Sequence, residues 1–302
     1  ESAEAHRQRE LKWVSVMSSV PPSQSKKSRK VRRLLSDDVP SSVRYLVWSH
    51  VTDSRGKAVP GVYAQLSKRE RIPAYAEIQR DVQQSSRDLG WSQESQASLL
   101  SLLQSYLTMV PDIHYSKGLT LISGHLLNMA PEEDAFWIFV CVMDLYLRPY
   151  FWSNTVQMEV DSALFARALE QNDALVAKKI LTTLGVNPVD ICHPWFSTLF
   201  VEILPPEYLN RVWDIVFFEG IPFLIRVGVV LIGCCRRAAL EAPSKEILFR
   251  YLHRSMAKWL PRSVDAFLSL AHAVKLKDDD VRKQRIKMQA QIKRQTHNAP
   301  RM

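Results

Sequence analysis

The chain has 302 residues and is 46% hydrophobic, enough to bury one large core or two ordinary ones. Only 9 glycines and few alternating Val/Ile/Thr runs argue against a β-sandwich or barrel. The net charge of +9 sits at the ends: residues 1–36 and 275–302 each hold nine Lys/Arg against three acids, leaving 37–274 at −3, which disfavours a nucleic-acid-binding body.

Cys141, Cys192, Cys234 and Cys235 have no paired spacing, so a reduced, cytoplasmic compartment is expected. No apolar leader opens the chain. Residues 1–35 read as a basic Ser/Pro-rich arm, disordered or tethered, with Trp13 and Val14 available to tack onto a body. Pro40-Ser41-Ser42 starts a helix through His50 that turns Val43, Leu46 and Val47 inward. Arg44 and Trp48 stand four apart on one side; the Arg44 stem packs there while its head pairs with a carboxylate such as Asp81. Residues 53–62 read as a loop. A helix opening near Pro73 buries Ala76, Ile78 and Val82, then frays around Gln84-Ser85-Ser86, with Arg80 and Arg87 nearby.

Ser92 caps the next helix, Glu94 charges its first turn, and Leu99, Leu100, Leu102, Leu103, Tyr106 and Leu107 form its stripe until Pro111. Two polar segments, Ile78–Gln84 and Tyr115–Gly118, are thereby mounted on a rigid spacer. Pro131 and the acids Glu132, Glu133 and Asp134 begin a helix that Arg148-Pro149 breaks. Two helical patterns fill 156–184 and stop at Gly185. Trp195-Phe196 and Leu204-Pro205 follow, then Arg211, Trp213, Asp214 and Gly220, with Arg211 and Asp214 spaced to pair on a helix. The apolar run Ile221–Cys235 is interrupted by Arg226 and falls short of a bilayer of roughly 30 Å, so it reads as a core helix. Helices over 221–240, 245–260 and 263–275 complete the body, and Asp278–Asp280 cap a basic helix open to membrane contact or to solvent.

Taken together, these residues resemble the TBC domain, the helical module of GTPase-activating proteins for Rab-type small GTPases. The family's I-x-x-D-x-x-R signature is kept at Ile78 and Asp81, with Gln84 at its arginine finger. Its Y-x-Q-G signature is kept at Tyr115 and Gly118, with Lys117 at its glutamine finger. The R-x-x-x-W motif matches Arg44 and Trp48, the W-F motif matches Trp195 and Phe196, and R-x-W-D…G matches Arg211, Trp213, Asp214 and Gly220. The resemblance implies an all-α, two-lobed domain over 36–275, with an N-lobe at about 36–150 and a C-lobe at about 151–275. On this reading the fingers sit in the first lobe and the W-F and W-D segments in the second, flanked by the 1–35 arm and a basic 276–302 helix or tail.

An arginine supplied in trans offsets charge spreading over the γ-phosphoryl oxygens, worth on the order of 10³–10⁵ in rate. Gln84 supplies no charge, and the Lys117 ammonium donates but cannot accept a hydrogen bond from an attacking water. The expectation is a regulator of a Rab-type GTPase in vesicle traffic, cytoplasmic or peripheral on endomembranes, whose activating fingers are lost and which binds or scaffolds. Two alternatives stand beside it: an active regulator working through Lys117, Arg80 or Arg87, and a membrane adaptor with both basic ends on anionic lipid. No metal, cofactor or nucleic acid is expected: Cys192-His193 has no second ligand pair, and no phosphate-cradling glycine motif occurs.

Overall fold

The structure, a computed structural model, describes residues 2–297. Among these residues every regular element is a helix and none is a strand, so the fold is all-α. The chain divides into two compact units, Glu1–Trp152 with Trp213–Gly220, and Ser153–Val212 with Ile221–Met302.

The first unit contains α1 (Ala3–Ser19), α2 (Arg29–Ser36), α3 (Arg44–Thr52), α4 (Ser54–Lys57), α5 (Val62–Leu66), α6 (Tyr75–Leu89), α7 (Gln93–Met109), α8 (Lys117–Met129) and α9 (Glu132–Val142). Past α9 the chain widens into a π-turn, Met143–Leu147, and tightens into a 3₁₀ turn, Arg148–Phe151, where Pro149 removes a donor. The basic arm expected to be disordered or tethered is helical, with Trp13 packed onto the unit as the tethered reading had it and Val14 left exposed. Within it Val31 and Leu35 are buried as well despite the polar average, while Leu11 also stays exposed.

Asp214 organises this unit. Its carboxylate is fully buried and accepts from Trp48 Nε1 at 2.7 Å and from Arg44 Nε at 3.2 Å and Nη2 at 3.3 Å. Arg44 therefore does not pair with Asp81, as the sequence suggested; its other contact is Asp38, at 3.0 Å. A carboxylate wholly removed from water costs more to leave uncompensated than a half-buried one, so Asp214 takes the guanidinium. The Trp48 ring lies 5.6 Å from that of Trp213 and 5.3 Å from that of Phe217, and the His125 ring stands 4.7 Å from Trp213. The W-D segment, placed in the second lobe by the sequence reading, thus contributes Trp213–Gly220 to the first unit. Gly220 closes that segment at φ +80°, where a Cβ would stand 2.7 Å from the Tyr146 ring.

Tyr146 donates to the Phe217 carbonyl at 3.1 Å and accepts from Lys26 Nζ at 2.6 Å. Burial, reinforced by the Lys57 charge, lowers the Lys26 pKa to about 8 from 10.5. Between those values the unfolded chain binds the extra proton, so this group makes stability rise with pH across the window, with its full penalty in place below pH 8. Lys26→Met is expected to flatten that part of the profile, measured by urea unfolding at successive pH values. An unchanged slope would show that Lys26 keeps its ordinary pKa.

The second unit contains α10 (Val156–Asn172), α11 (Ala174–Ala177), α12 (Pro188–Phe196), the start of α13 (Pro206–Glu219), α14 (Ile221–Cys234), α15 (Arg236–Glu241), α16 (Lys245–Leu252), α17 (Val264–Ala273) and α18 (Asp278–His297). Trp195 and Phe196 are fully buried, and Trp195 Nε1 donates to the Leu252 carbonyl at 2.8 Å. Arg211 donates from Nη1 to Asp265 at 3.1 Å. The apolar run forms α14 and is buried along nearly its whole length; no helix among the described residues is long and apolar enough to cross a membrane. The basic helix α18 is docked within this unit: Val281 is buried, Arg285 pairs with the buried Asp161, and Asp278 pairs with Arg226 at 2.6 Å. Residues 298–302 of the expected tail lie outside the described residues.

Candidate functional site

Ile78 and Val82 anchor α6 in the first unit, while Ala76, assigned inward from the sequence, is exposed. The helix does not fray at Gln84. It continues to Leu89 because Ser85 and Ser86 are buried and Ser86 Oγ donates back to the Val82 carbonyl at 2.6 Å, which satisfies the hydroxyl without opening the turn. Gly90 ends it at φ +73°. Gln84 therefore projects from a helix rather than from the loop expected at this position. Gln84 is exposed, and its Nε2 donates to both carboxylate oxygens of Asp88, at 3.1 and 3.2 Å. Arg80 and Arg87 are also exposed, and positions 80, 84 and 87 fall on one helical face. Arg87 Nε donates to the Gln83 carbonyl at 3.4 Å.

The second segment enters α8. Ser116 is extended at φ −146° and ψ 162°, Lys117 is the exposed first helical residue, and Gly118 is buried directly behind it. Tyr115 ties the two segments together. Its hydroxyl donates to Asp81 Oδ2 at 2.7 Å and stands 2.6 Å from Thr120 Oγ1. Burial, with the Asp81 carboxylate adding to it, raises the Tyr115 pKa well above the phenol range, so the proton stays on the donor. Tyr115→Phe leaves a half-buried carboxylate without this donor and is expected to cost about 1–2 kcal/mol in urea unfolding. A change near zero would show that water replaces the hydroxyl at no cost.

Trp91, just past the α6 terminus, was not singled out in the sequence. A Cβ at Gly124 would lie 2.2 Å from the Trp91 ring, so the indole sits directly on the α8 backbone. An isolated glycine inside a helical pattern was the available signal for such a close approach. Gln83, Ser86, Arg87, Trp91 and Gln96 line a groove of about 360 Å³ beside the Gln84 face. The spacer between the segments forms as its cap predicts: Ser92 Oγ accepts from the Ser95 amide at 3.1 Å, and the Leu99, Leu102, Leu103 and Tyr106 stripe is buried.

Asp81 of α6 and Tyr115, just before α8, are thus joined directly, with Ile78 and Gly118 buried in the same two segments. Arg44, Trp48, Trp213 and Asp214 form a separate structural cluster in the same unit, and Trp195, Phe196 and Arg211 belong to the second. Among the described residues no group of three or more His, Cys, Asp or Glu is placed to hold a metal ion. The site offers cations and amides on an open surface, suited to meeting a partner protein's anionic centre rather than enclosing a small substrate.

The family model for the Rab-GTPase-TBC domain matches residues 41–240. Human TBC1 domain family member 10B is 28% identical over 233 residues, covering 75% of this chain and 29% of that protein. The GTPase-activating protein GYP5 of Eremothecium gossypii is 29% identical over 223 residues, covering 72% of this chain and 26% of that protein. This chain therefore spans less than a third of either relative. Among solved structures, the Chlamydomonas flagellar RabGAP TBC domain superposes with a TM-score of 0.73 at 20% identity, covering 89% of this chain and 92% of that one, a likeness of fold.

Proposed function

The chain belongs to the Rab-GTPase-TBC domain family, and we propose that it binds a Rab-type GTPase without efficiently accelerating its GTP hydrolysis. The observation carrying this reading is Gln84, neutral and hydrogen-bonded back to Asp88, at the position matching the family's arginine finger. Lys117 at the glutamine-finger position adds to it, because an ammonium has no acceptor for the attacking water. Losing the trans arginine alone removes roughly 4–7 kcal/mol of transition-state stabilisation. Ile78, Asp81, Tyr115 and Gly118 maintain the surface that meets the GTPase, so the protein acts as a binder or scaffold in vesicle traffic, in the cytoplasm or peripheral on endomembranes. A turnover assay across a Rab panel is expected to show binding with little acceleration. Strong acceleration by the unmodified protein refutes the proposal.

A second reading keeps activation and assigns the charge to Arg80 or Arg87, which share the Gln84 face, or to Lys117. Alanine at each of the three separates the readings, since an inactive binder has no turnover to lose. A third reading, compatible with the first, makes the protein a membrane adaptor. It draws on the excess of nine Lys/Arg over three acids in residues 1–36.

A further inference from the structure

Basic charge is concentrated at both ends of the chain, and part of that on α18 is spent in ion pairs. In α18, Arg285 pairs with Asp161 and Arg282 with Asp279. In the first unit, Lys12, Lys30 and Arg33 are exposed, and among the described residues they enter no ion pair. Among the acids nearby, Glu10 is engaged with His6 and Ser42, Glu4 with Gln8, and Asp38 with Arg44, while the exposed Asp37 follows Arg33 by four residues. The three cations flank an open groove of about 410 Å³ between α1 and α2, whose apolar lining is Leu11, Val16 and Leu34. Leu11 is 58% exposed and Val14, one turn along the same helix, is 49% exposed.

We propose that the α1–α2 face is a docking surface for an anionic lipid bilayer, with Leu11 and Val14 entering the interface and Lys12, Lys30 and Arg33 meeting lipid headgroups. This deepens the adaptor reading, on which it rests. The pairing of unspent cations with unspent apolar side chains is what an interfacial helix needs. Cations alone would bind weakly and lose to salt, and apolar residues alone would have no preference for anionic lipid. The stretch between the basic ends, at −3 over residues 37–274, gives no competing attraction. Buried Trp13 on α1 and Val31 and Leu35 on α2 anchor the two helices within the unit, so the surface is presented on a fixed frame rather than ordered at the membrane.

The test is co-sedimentation of the full chain with phosphatidylcholine vesicles, with and without phosphatidylserine. Binding is expected only with phosphatidylserine and should fall as salt rises. The variant Lys12→Ala/Lys30→Ala/Arg33→Ala is expected to bind roughly 100-fold more weakly, at about fivefold per cation. Leu11→Ser/Val14→Ser is expected to bind about tenfold more weakly while keeping the salt dependence, because it removes only the apolar contribution. All five residues are exposed, and unchanged far-ultraviolet circular dichroism confirms that the variants fold. If the unmodified chain binds phosphatidylserine vesicles and both variants bind equally well, this surface assignment is overturned while the adaptor reading stands. No vesicle binding by the unmodified chain overturns both. Binding of an acidic amphipathic peptide that the triple variant loses, without vesicle binding, gives the face to a protein partner and also overturns the proposal.

Discussion

Gln84→Arg combined with Lys117→Gln is expected to raise GTP hydrolysis on a bound Rab by on the order of 10³–10⁵ over the unmodified chain. The frame for both side chains is already present: a helix face carrying position 84 and the first turn of α8 carrying position 117, joined through Tyr115 and Asp81. One competing interaction has to be weighed. An arginine at position 84 stands four residues from Asp88, which already holds the Gln84 amide through both its oxygens. An exposed pair at that helical spacing is worth only about 0.3–0.5 kcal/mol. The guanidinium contributes roughly 4–7 kcal/mol at the phosphoryl transition state, so Asp88 cannot retain it. Adding Asp88→Ser should therefore change the rate by less than about threefold. Gln84→Arg alone is expected to recover part of the effect, since charge is restored while the water remains unguided. Single-turnover hydrolysis with saturating protein separates rate from affinity. A double variant that binds the GTPase tightly and leaves its turnover unchanged shows that positions 84 and 117 are not the fingers.

What the sequence made legible was mostly local. Ser92 as a cap, the stripe following it, Gly185 as a stop and the buried α14 all follow from interactions within one or two turns. Errors arose where a distant partner decided. Serines at 85 and 86 read as a frayed end because they compete for backbone groups in isolation; burial turns them inward and lets the helix continue. Residues 1–36 read as an arm because charge and serine dominate the average, yet helix packing needs only a few apolar side chains, which Trp13, Val31 and Leu35 supply. At the candidate site, motif spacing pointed to positions 84 and 117. That Gln84 leans on Asp88 and that Trp91 covers Gly124 was not legible, because neither contact leaves a periodic signal. The partner of Arg44 was the clearest miss: the nearer carboxylate in sequence, Asp81, lost to one 170 residues away.

That same carboxylate carries the largest expected effect on stability. Asp214→Ala removes the acceptor for Trp48 Nε1 and the counter-charge of Arg44, whose side chain is only 8% exposed. Breaking a buried pair by deleting one partner costs about 3–5 kcal/mol, chiefly because the remaining charge is left uncompensated. Asp38 offers little relief, since its side chain is 53% exposed and such a pair is worth about 0–1 kcal/mol. Asp214→Asn keeps an acceptor of similar shape and should cost less than alanine, because only the charge is lost. Arg44→Met tests the origin of the penalty from the other side. If uncompensated charge dominates, the double change Arg44→Met/Asp214→Ala should cost clearly less than the two single costs combined. Hydrogen exchange at the α3 amides reads the first unit directly, with urea unfolding as the companion measurement. An Asp214→Ala chain within about 1 kcal/mol of the unmodified one would mean that ring packing among Trp48, Trp213 and Phe217 holds the unit and the ion pair is incidental. Strict additivity in the double variant would place the loss in packing and hydrogen bonds rather than in stranded charge.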